Sequence, residues 1–156
     1  MADAAREVVG RPFTAFNFRV ELDVPGLSSQ LCAASFAECD GLEMSLSPQT
    51  IREGGNNSRQ IHLTGPVGYG QLSLKRGMSD TFDLWRWFDL VMQTGQSGLR
   101  GSGVVVMLAS DGSTVQMRFT ITGCLPVKLK ASALSAKDGA VAIEEMQIAY
   151  ETLSFQ

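Results

Sequence analysis

The sequence predicts a mainly β domain of the α+β class: a sandwich or small barrel of about seven or eight strands with one main helix near residues 81–93. Three observations lead there. Apolar and polar residues alternate with a strand period in segment after segment. Gly, Pro and Asp-Gly pairs punctuate those segments. A single window carries a broad helical apolar pattern with a capping residue in front of it. The organisation expected is one domain over 13–156 behind a small polar arm at 1–12, closed by Gly10-Arg11-Pro12.

The first strand is the plainest. Phe16, Phe18, Val20 and Leu22 alternate with Asn17, Arg19, Glu21 and Asp23, giving one buried and one wet face, and Pro25-Gly26 turns the chain. A second extended stretch begins at Ser35-Phe36-Ala37-Glu38 and resumes after Gly41 with Leu42, Met44 and Leu46. Pro48 stops it. Residues 47–60 then read as a long loop with little apolar content, a kind that is functional or mobile in compact domains. Ile61 and Leu63 alternate around His62, and Leu72 and Leu74 around Ser73, ending in Lys75-Arg76-Gly77.

Asp80 is a good N-cap for a helix from Thr81 to about Gln93, with Asp83 following in the first turn. Asp83, Arg86, Asp89 and Gln93 make one narrow polar stripe. Phe82, Leu84, Trp85, Trp87, Phe88, Leu90, Val91 and Met92 cover the rest of the circumference. That is wider than the sector of roughly 100° a helix needs to pack on its own sheet. Two readings stay open: a core helix wrapped by its own domain, or a helix covered in part by a second chain.

Beyond the Gly/Ser-rich segment 95–103, Val104–Leu108 reads as a strand buried on both faces, and Asp111-Gly112 as a tight hairpin turn. The return strand alternates Val115, Met117, Phe119 and Ile121 with polar residues. Gly123 and Pro126 are expected to break it, leaving Val127–Lys130 as a short basic piece and 131–139 as a loop or brief helical turn. The last strand runs from Val141 to about Leu153. Met146 falls out of phase with Ile143, so a bulge is expected near Glu144-Glu145.

Composition narrows function. Hydrophobic residues at 44% and charged residues at 19% exclude a disordered chain. A net charge of −3 argues against a protein whose main work is gripping phosphate backbones. Cys32, Cys39 and Cys124 are odd in number and lack C-x-x-C spacing, so no disulfide framework is expected, and Cys32 and Cys39 read as small core residues. Asp3 and Glu7 stand at the N-terminus with no apolar stretch behind them, and the run Val104–Ala109 is far shorter than the roughly 20 residues of a membrane span. A soluble chain made in the cytosol, without membrane insertion, is the expectation.

Reaction centres are scarce. His62 is a lone mid-strand histidine without a second ligand at metal spacing. G-x-S-x-G, Walker and dinucleotide-binding patterns are absent. Glu144 and Glu145 are adjacent, so on a strand they face opposite ways. No catalytic, cofactor or metal residue is assigned, and no enzyme is expected. Contact elements remain. Arg52, Glu53, Gly54, Gly55, Asn56, Asn57 and Arg59 in the loop, with Lys75, Arg76 and Gly77, combine charges with glycines that admit close backbone approach. Trp85 and Trp87 on the over-apolar helix complete the set.

Several segments in order carry a resemblance: Glu38-Cys39-Asp40-Gly41-Leu42-Glu43, Ile51-Arg52-Glu53-Gly54-Gly55, Leu72-Ser73-Leu74-Lys75-Arg76-Gly77, Leu84-Trp85-Arg86-Trp87, Pro126-Val127-Lys128 and Val141-Ala142-Ile143-Glu144. Together, over about residues 13–155, they resemble the tail-tube protein family of contractile phage tails and extracellular contractile injection systems. Thr64-Gly65, Gly123-Cys124 and Tyr150 depart from the family's usual Pro-Gly, Asn-Ala and His, which blurs the subtype. The resemblance implies a structural role without catalysis or cofactor. Family members form six-membered rings joined edge to edge into an inner β-barrel and stacked into a hollow tube. Implied partners are further copies of the chain, a contractile sheath, baseplate and cap proteins, and cargo in the lumen, with nucleic acid only in a phage. Implied location is the cytoplasm during assembly and then an injection particle or virion tail, released by lysis. Arg52 and Glu53 would pair between subunits. The alternatives are a baseplate or tube-end adaptor of the same machine and a monomeric small-ligand-binding barrel.

Overall fold

The computed structural model of the chain describes residues 13, 15–27, 36–55, 57–78, 80, 82–93, 99–137 and 139–156. The expected arm at 1–12, Cys32, the start of the second stretch at Ser35, Asn56, Thr81 and the first four residues of the Gly/Ser-rich segment lie outside these residues. The elements in order are β1 (Phe18–Asp23), β2 (Glu38–Asp40), β3 (Met44–Leu46), β4 (Gln49–Ile51), β5 (Ile61–Leu63), β6 (Val67–Tyr69) and β7 (Gln71–Gly77). Then come α1 (Asp83–Gln93), β8 (Gly101–Leu108), β9 (Val115–Ala131), β10 (Ile143–Ala149) and β11 (Thr152–Phe155).

All pairing is antiparallel. Seven strands follow the order β1-β8-β9-β10-β7-β2, with β11 also on β9. The long strand β9 belongs to two half-sheets. Its first part pairs with β8 and β11, and its last part, Leu125–Ala131, pairs with β10. The halves fold onto one another around a single apolar cluster, drawn from Val20, Leu22 and Val105 on one side and Leu72, Leu74, Met146 and Ile148 on the other. Burying such side chains contributes about 1.5–3 kcal/mol each. Val105 and Val106 are both buried, so β8 is covered on both faces as its composition predicts.

Gly123 and Pro126 do not end the return strand. Gly123 takes φ +65 and lets β9 turn from one half-sheet into the other, where a Cβ would meet the Glu151 side chain at 2.5 Å. Pairing on both sides of the bend holds the strand continuous despite its local breakers. The register shift falls between Gln147 and Ile148, where Val127 is the additional residue, and not at Glu144-Glu145. There β10 keeps its phase: Glu144, Met146, Ile148 and Tyr150 are buried, while Ile143 is 45% exposed. The apparent phase error comes from a buried carboxylate standing where an apolar residue was expected. Residues 132–137 are non-helical.

The helix starts at Asp83, and its first turn is closed by the Arg86 N–H donating to the Phe82 carbonyl at 2.9 Å, so Asp80 is not its cap. Leu84 and Trp87 are buried, whereas Trp85 and Met92 are 37% and 63% exposed. The domain therefore wraps only part of the helix. No helix among the described residues is long and apolar enough to cross a membrane.

Candidate functional site

The expected loop at 47–60 is in part a strand. Gln49–Ile51 pairs with Ile61–Leu63, and beyond it Met44–Leu46 pairs with Val67–Tyr69. Residues 44–69 thus form one long hairpin in two ladder segments, with the turn at 52–60. Sequence alone misses the first half because Gln-Thr-Ile is too short and too polar to carry a strand signal. In a register of pairs, side chains directly opposite share a face. Met44, Leu46, Val67 and Tyr69 therefore share a face in one segment, and Ile51, Ile61 and Leu63 in the other. Met44, Leu46, Ile51, Leu63 and Val67 are all roughly half exposed. A strand pair with apolar rows and no core beneath it is an arm.

The base of this arm is fixed to the body. The Tyr150 hydroxyl donates to the Gly41 carbonyl at 2.7 Å and accepts from the Glu43 N–H at 3.1 Å. Its ring lies 5.7 Å from that of Tyr69. Gly41, at φ +97, passes so close to Gln71 that a Cβ would lie 1.8 Å from its carbonyl oxygen. Only glycine fits that crossing. Tyr150 therefore anchors the arm, a role the sequence pattern does not announce.

The candidate contact residues divide. Arg52, Glu53, Gly54, Gly55, Asn57 and Arg59 stand exposed at the arm's tip. Lys75 is half-buried and pairs with Glu38 at 3.4 Å, and Gly77 is exposed. Arg76 and Trp87 are corrected: at 2% and 0% exposure they belong to the chain's own core and present nothing to a neighbour. Arg76 Nε donates to Glu144 Oε1 at 2.6 Å, and its other nitrogens reach the Asp83 carboxylate at the start of α1. Trp85 Nε1 donates to Glu144 Oε2 at 2.8 Å, and the Phe36 ring lies 5.4 Å from the Arg76 guanidinium carbon. This network ties β7, β10 and α1 together. Leaving one charge of such a buried group without its partner costs about 3–5 kcal/mol. The strand motif Lys-Arg-Gly thus mixes an outward lysine with an inward arginine, as strand alternation requires.

Trp85, its indole N–H satisfied from inside, turns its ring into a groove of about 430 Å³ with Phe88, Asp89, Met92 and Leu129. Burial pushes the thiol of Cys39 up to about 11 and that of Cys124 to about 12, with Asp40 and Glu151 adding to the respective shifts, so both stay protonated at neutral pH. His62 is exposed and lies 3.3 Å from Thr50 Oγ1 across the arm. Among the described residues, no group of His, Cys, Asp and Glu could hold a metal ion.

A sandwich body, an exposed apolar arm and a half-covered helix leave apolar surface open on the chain, as in a structural building block. Residues 14–154 match the family model of the T4-like virus tail tube protein gp19, and the chain belongs to that family. Its role is that of a structural tube subunit. No curated protein matches it. Among solved structures, it is similar to a chain of the anti-feeding prophage baseplate, at 24% identity and TM-score 0.81 over 94% of this chain and 97% of that one. A chain of the anti-feeding prophage tube-terminating cap gives TM-score 0.80 at 16% identity over 100% and 99%. A chain of the sheath-tube complex of the PVC extracellular contractile injection system gives 0.75 at 16% over 95% and 93%. The mainly β fold with one helix is the fold of these proteins.

Proposed function

We propose that the chain forms six-membered rings that stack into the hollow inner tube of a contractile injection system or phage-tail-like particle. The observation that carries this reading is the arm at 44–69, whose apolar rows are about half exposed, in a chain of the tail-tube family. Stacking rings would bury those rows, and Arg52 and Glu53 at the tip would pair with an adjacent subunit while Gly54-Gly55 allows the bend. Trp85 on α1 would pack against a neighbour in the outer layer. The work is structural, with no catalytic step and no cofactor. Sheath, baseplate and cap proteins are the partners that fit, with cargo in the lumen and nucleic acid only in a phage. Assembly takes place in the cytoplasm, and lysis releases the particle. Residues 13–156 act as one unit.

Electron microscopy of the purified full chain tests the proposal. Rings and long tubes support it; a monomer at every concentration, with lipid enclosed, would overturn it in favour of a ligand-binding barrel. A tube-end adaptor is the second reading, drawn from the similarity in fold to the baseplate and cap chains. Rings that never stack would favour it.

A further inference from the structure

The second half-sheet, formed by the end of β9 with β10, β7 and β2, carries its outward side chains in rows fixed by the register. Lys130 lies opposite Glu145, Glu145 opposite Lys75, and Lys75 opposite Glu38. In the next row, Lys128 begins and Asp40 ends, with Gln147 and Ser73 between them. The first row alternates in sign across all four strands. The second holds its charges at its ends. Both exposed lysines of β9 therefore stand at one edge of the half-sheet and both exposed acids of β2 at the other. Among the described residues, no strand pairs with the outer edge of β2 or with that of Leu125–Ala131. Lys128 and Lys130 form no ion pair within that same set.

We propose that these two edges meet between copies of the chain, Glu38 and Asp40 of one copy facing Lys128 and Lys130 of the next, and that the sign pattern selects both the edge and the register of the joint. The proposal rests on the ring-forming reading above and specifies its seam. Rotation about a tube axis keeps the axial sense of every strand. Four antiparallel strands per copy, an even number, then bring β2 against the next β9 antiparallel, the pairing used everywhere else in the sheet. Strand side chains alternate faces, so the seam can slip only by an even number of residues without turning the charges over. At zero stagger Glu38 faces Lys130 and Asp40 faces Lys128. A stagger of two residues in one direction leaves Glu38 on Lys128, and in the other leaves Asp40 on Lys130. Joining like edges would set lysine against lysine or acid against acid, which disfavours a two-fold dimer and favours head-to-tail closure.

Two charge-reversed chains test the seam. Lys128→Glu/Lys130→Glu repels itself, Glu38→Lys/Asp40→Lys repels itself, and each is complementary to the other at both edges. Ring formation is read by mass photometry and native mass spectrometry at about 0.15 M salt. Each variant alone should need a subunit concentration at least about tenfold higher than the unmodified chain. An equimolar mixture should return to within about threefold, in rings where the variants alternate. Either variant assembling as well as the unmodified chain overturns the proposal. So does a mixture that fails while both variants keep the native circular dichroism spectrum. If reversal unfolds a chain, Lys128→Gln/Lys130→Gln replaces it: weaker assembly with a flattened salt dependence supports the seam, and an unchanged salt dependence overturns it. An unmodified chain that stays monomeric refutes the ring reading itself, a result distinct from all of these.

Discussion

Leu72 and Leu46 both sit in antiparallel strands of one chain, yet Leu72 is fully buried and Leu46 is 55% exposed. The difference separates the body from the arm. In the body, apolar rows meet across two half-sheets and even the charges are enclosed, with Arg76 and Glu144 almost without solvent contact. In the arm, the side chains of Met44, Leu46, Ile51, Leu63 and Val67 keep about half of their surface open. Strand pattern alone does not distinguish these cases, because alternation reports which face is apolar and not what covers it. The body's pattern is completed by folding; in the proposed tube the arm's would be completed by assembly.

Substitutions should separate the two regions by their effect on the folded monomer and on assembly. The largest monomer effect belongs to the body. Arg76→Ala strands Glu144 and Asp83 and should destabilise the monomer by about 3–5 kcal/mol, read as a lower urea midpoint. A loss below about 1 kcal/mol would mean that the network is not a structural tie. At the junction, Tyr150→Phe removes the hydroxyl that holds Gly41 and Glu43. It should cost about 1 kcal/mol and raise amide exchange in residues 41–46 and 67–70 above that of β9. Uniform exchange would show the arm to be anchored elsewhere.

In the arm, Leu46→Ser/Val67→Ser should leave monomer stability within about 0.5 kcal/mol while abolishing tubes seen by electron microscopy. Arg52→Glu should likewise weaken stacking without a change in melting temperature. Should it assemble normally, the tip contact assigned to Arg52 is wrong. The smallest effect lies in the β8–β9 turn, where Asp111 accepts from the Thr114 hydroxyl and from the Thr114 and Ser113 N–H groups. These bonds, the Thr114 hydroxyl foremost, lower its pKa to about 2. Because the folded value lies below the unfolded carboxylate range near 3.9, the contribution is complete above about pH 4 and is lost as pH falls through about 2. Asp111→Asn should flatten that acid limb of the melting temperature. An unaltered limb would assign the acid sensitivity to other carboxylates.

Much of the body was legible. β1, β7 and α1 follow from period and punctuation, and β8 from an apolar run flanked by glycine and a turn. What escaped has identifiable causes. Glu144 hid the phase of β10 because pattern reading assigns charged residues to the outside, and only its partner on β7 makes the burial tolerable. Gly123 and Pro126 are local breakers overruled by pairing on both flanks. Arg76 and Trp87 stood in motifs that read as contact elements, but strand and helix geometry turn one inward beside Lys75 and the other inward beside Trp85. The tip residues Arg52–Gly55, Asn57 and Arg59 are exposed as loop composition suggests, but at the end of a paired hairpin where the sequence reads only a loop over 47–60. The charge rows across β9, β10, β7 and β2 are invisible in one dimension, because their members lie far apart in sequence and meet only in register.

The seventeen residues of β9 serve both half-sheets as one unbroken strand. Extended at about 3.3 Å per residue, it would reach some 55 Å, and the bend at Gly123 redirects it without interrupting it. A sandwich built from two separate sheets can slide at its apolar interface, where nothing directional resists shear. Here any thrust applied to the layer of β1, β8 and β11 passes to the layer of β10, β7 and β2 along covalent bonds. The strand is a tie rod. The joint between the two layers is thus covalent as well as apolar.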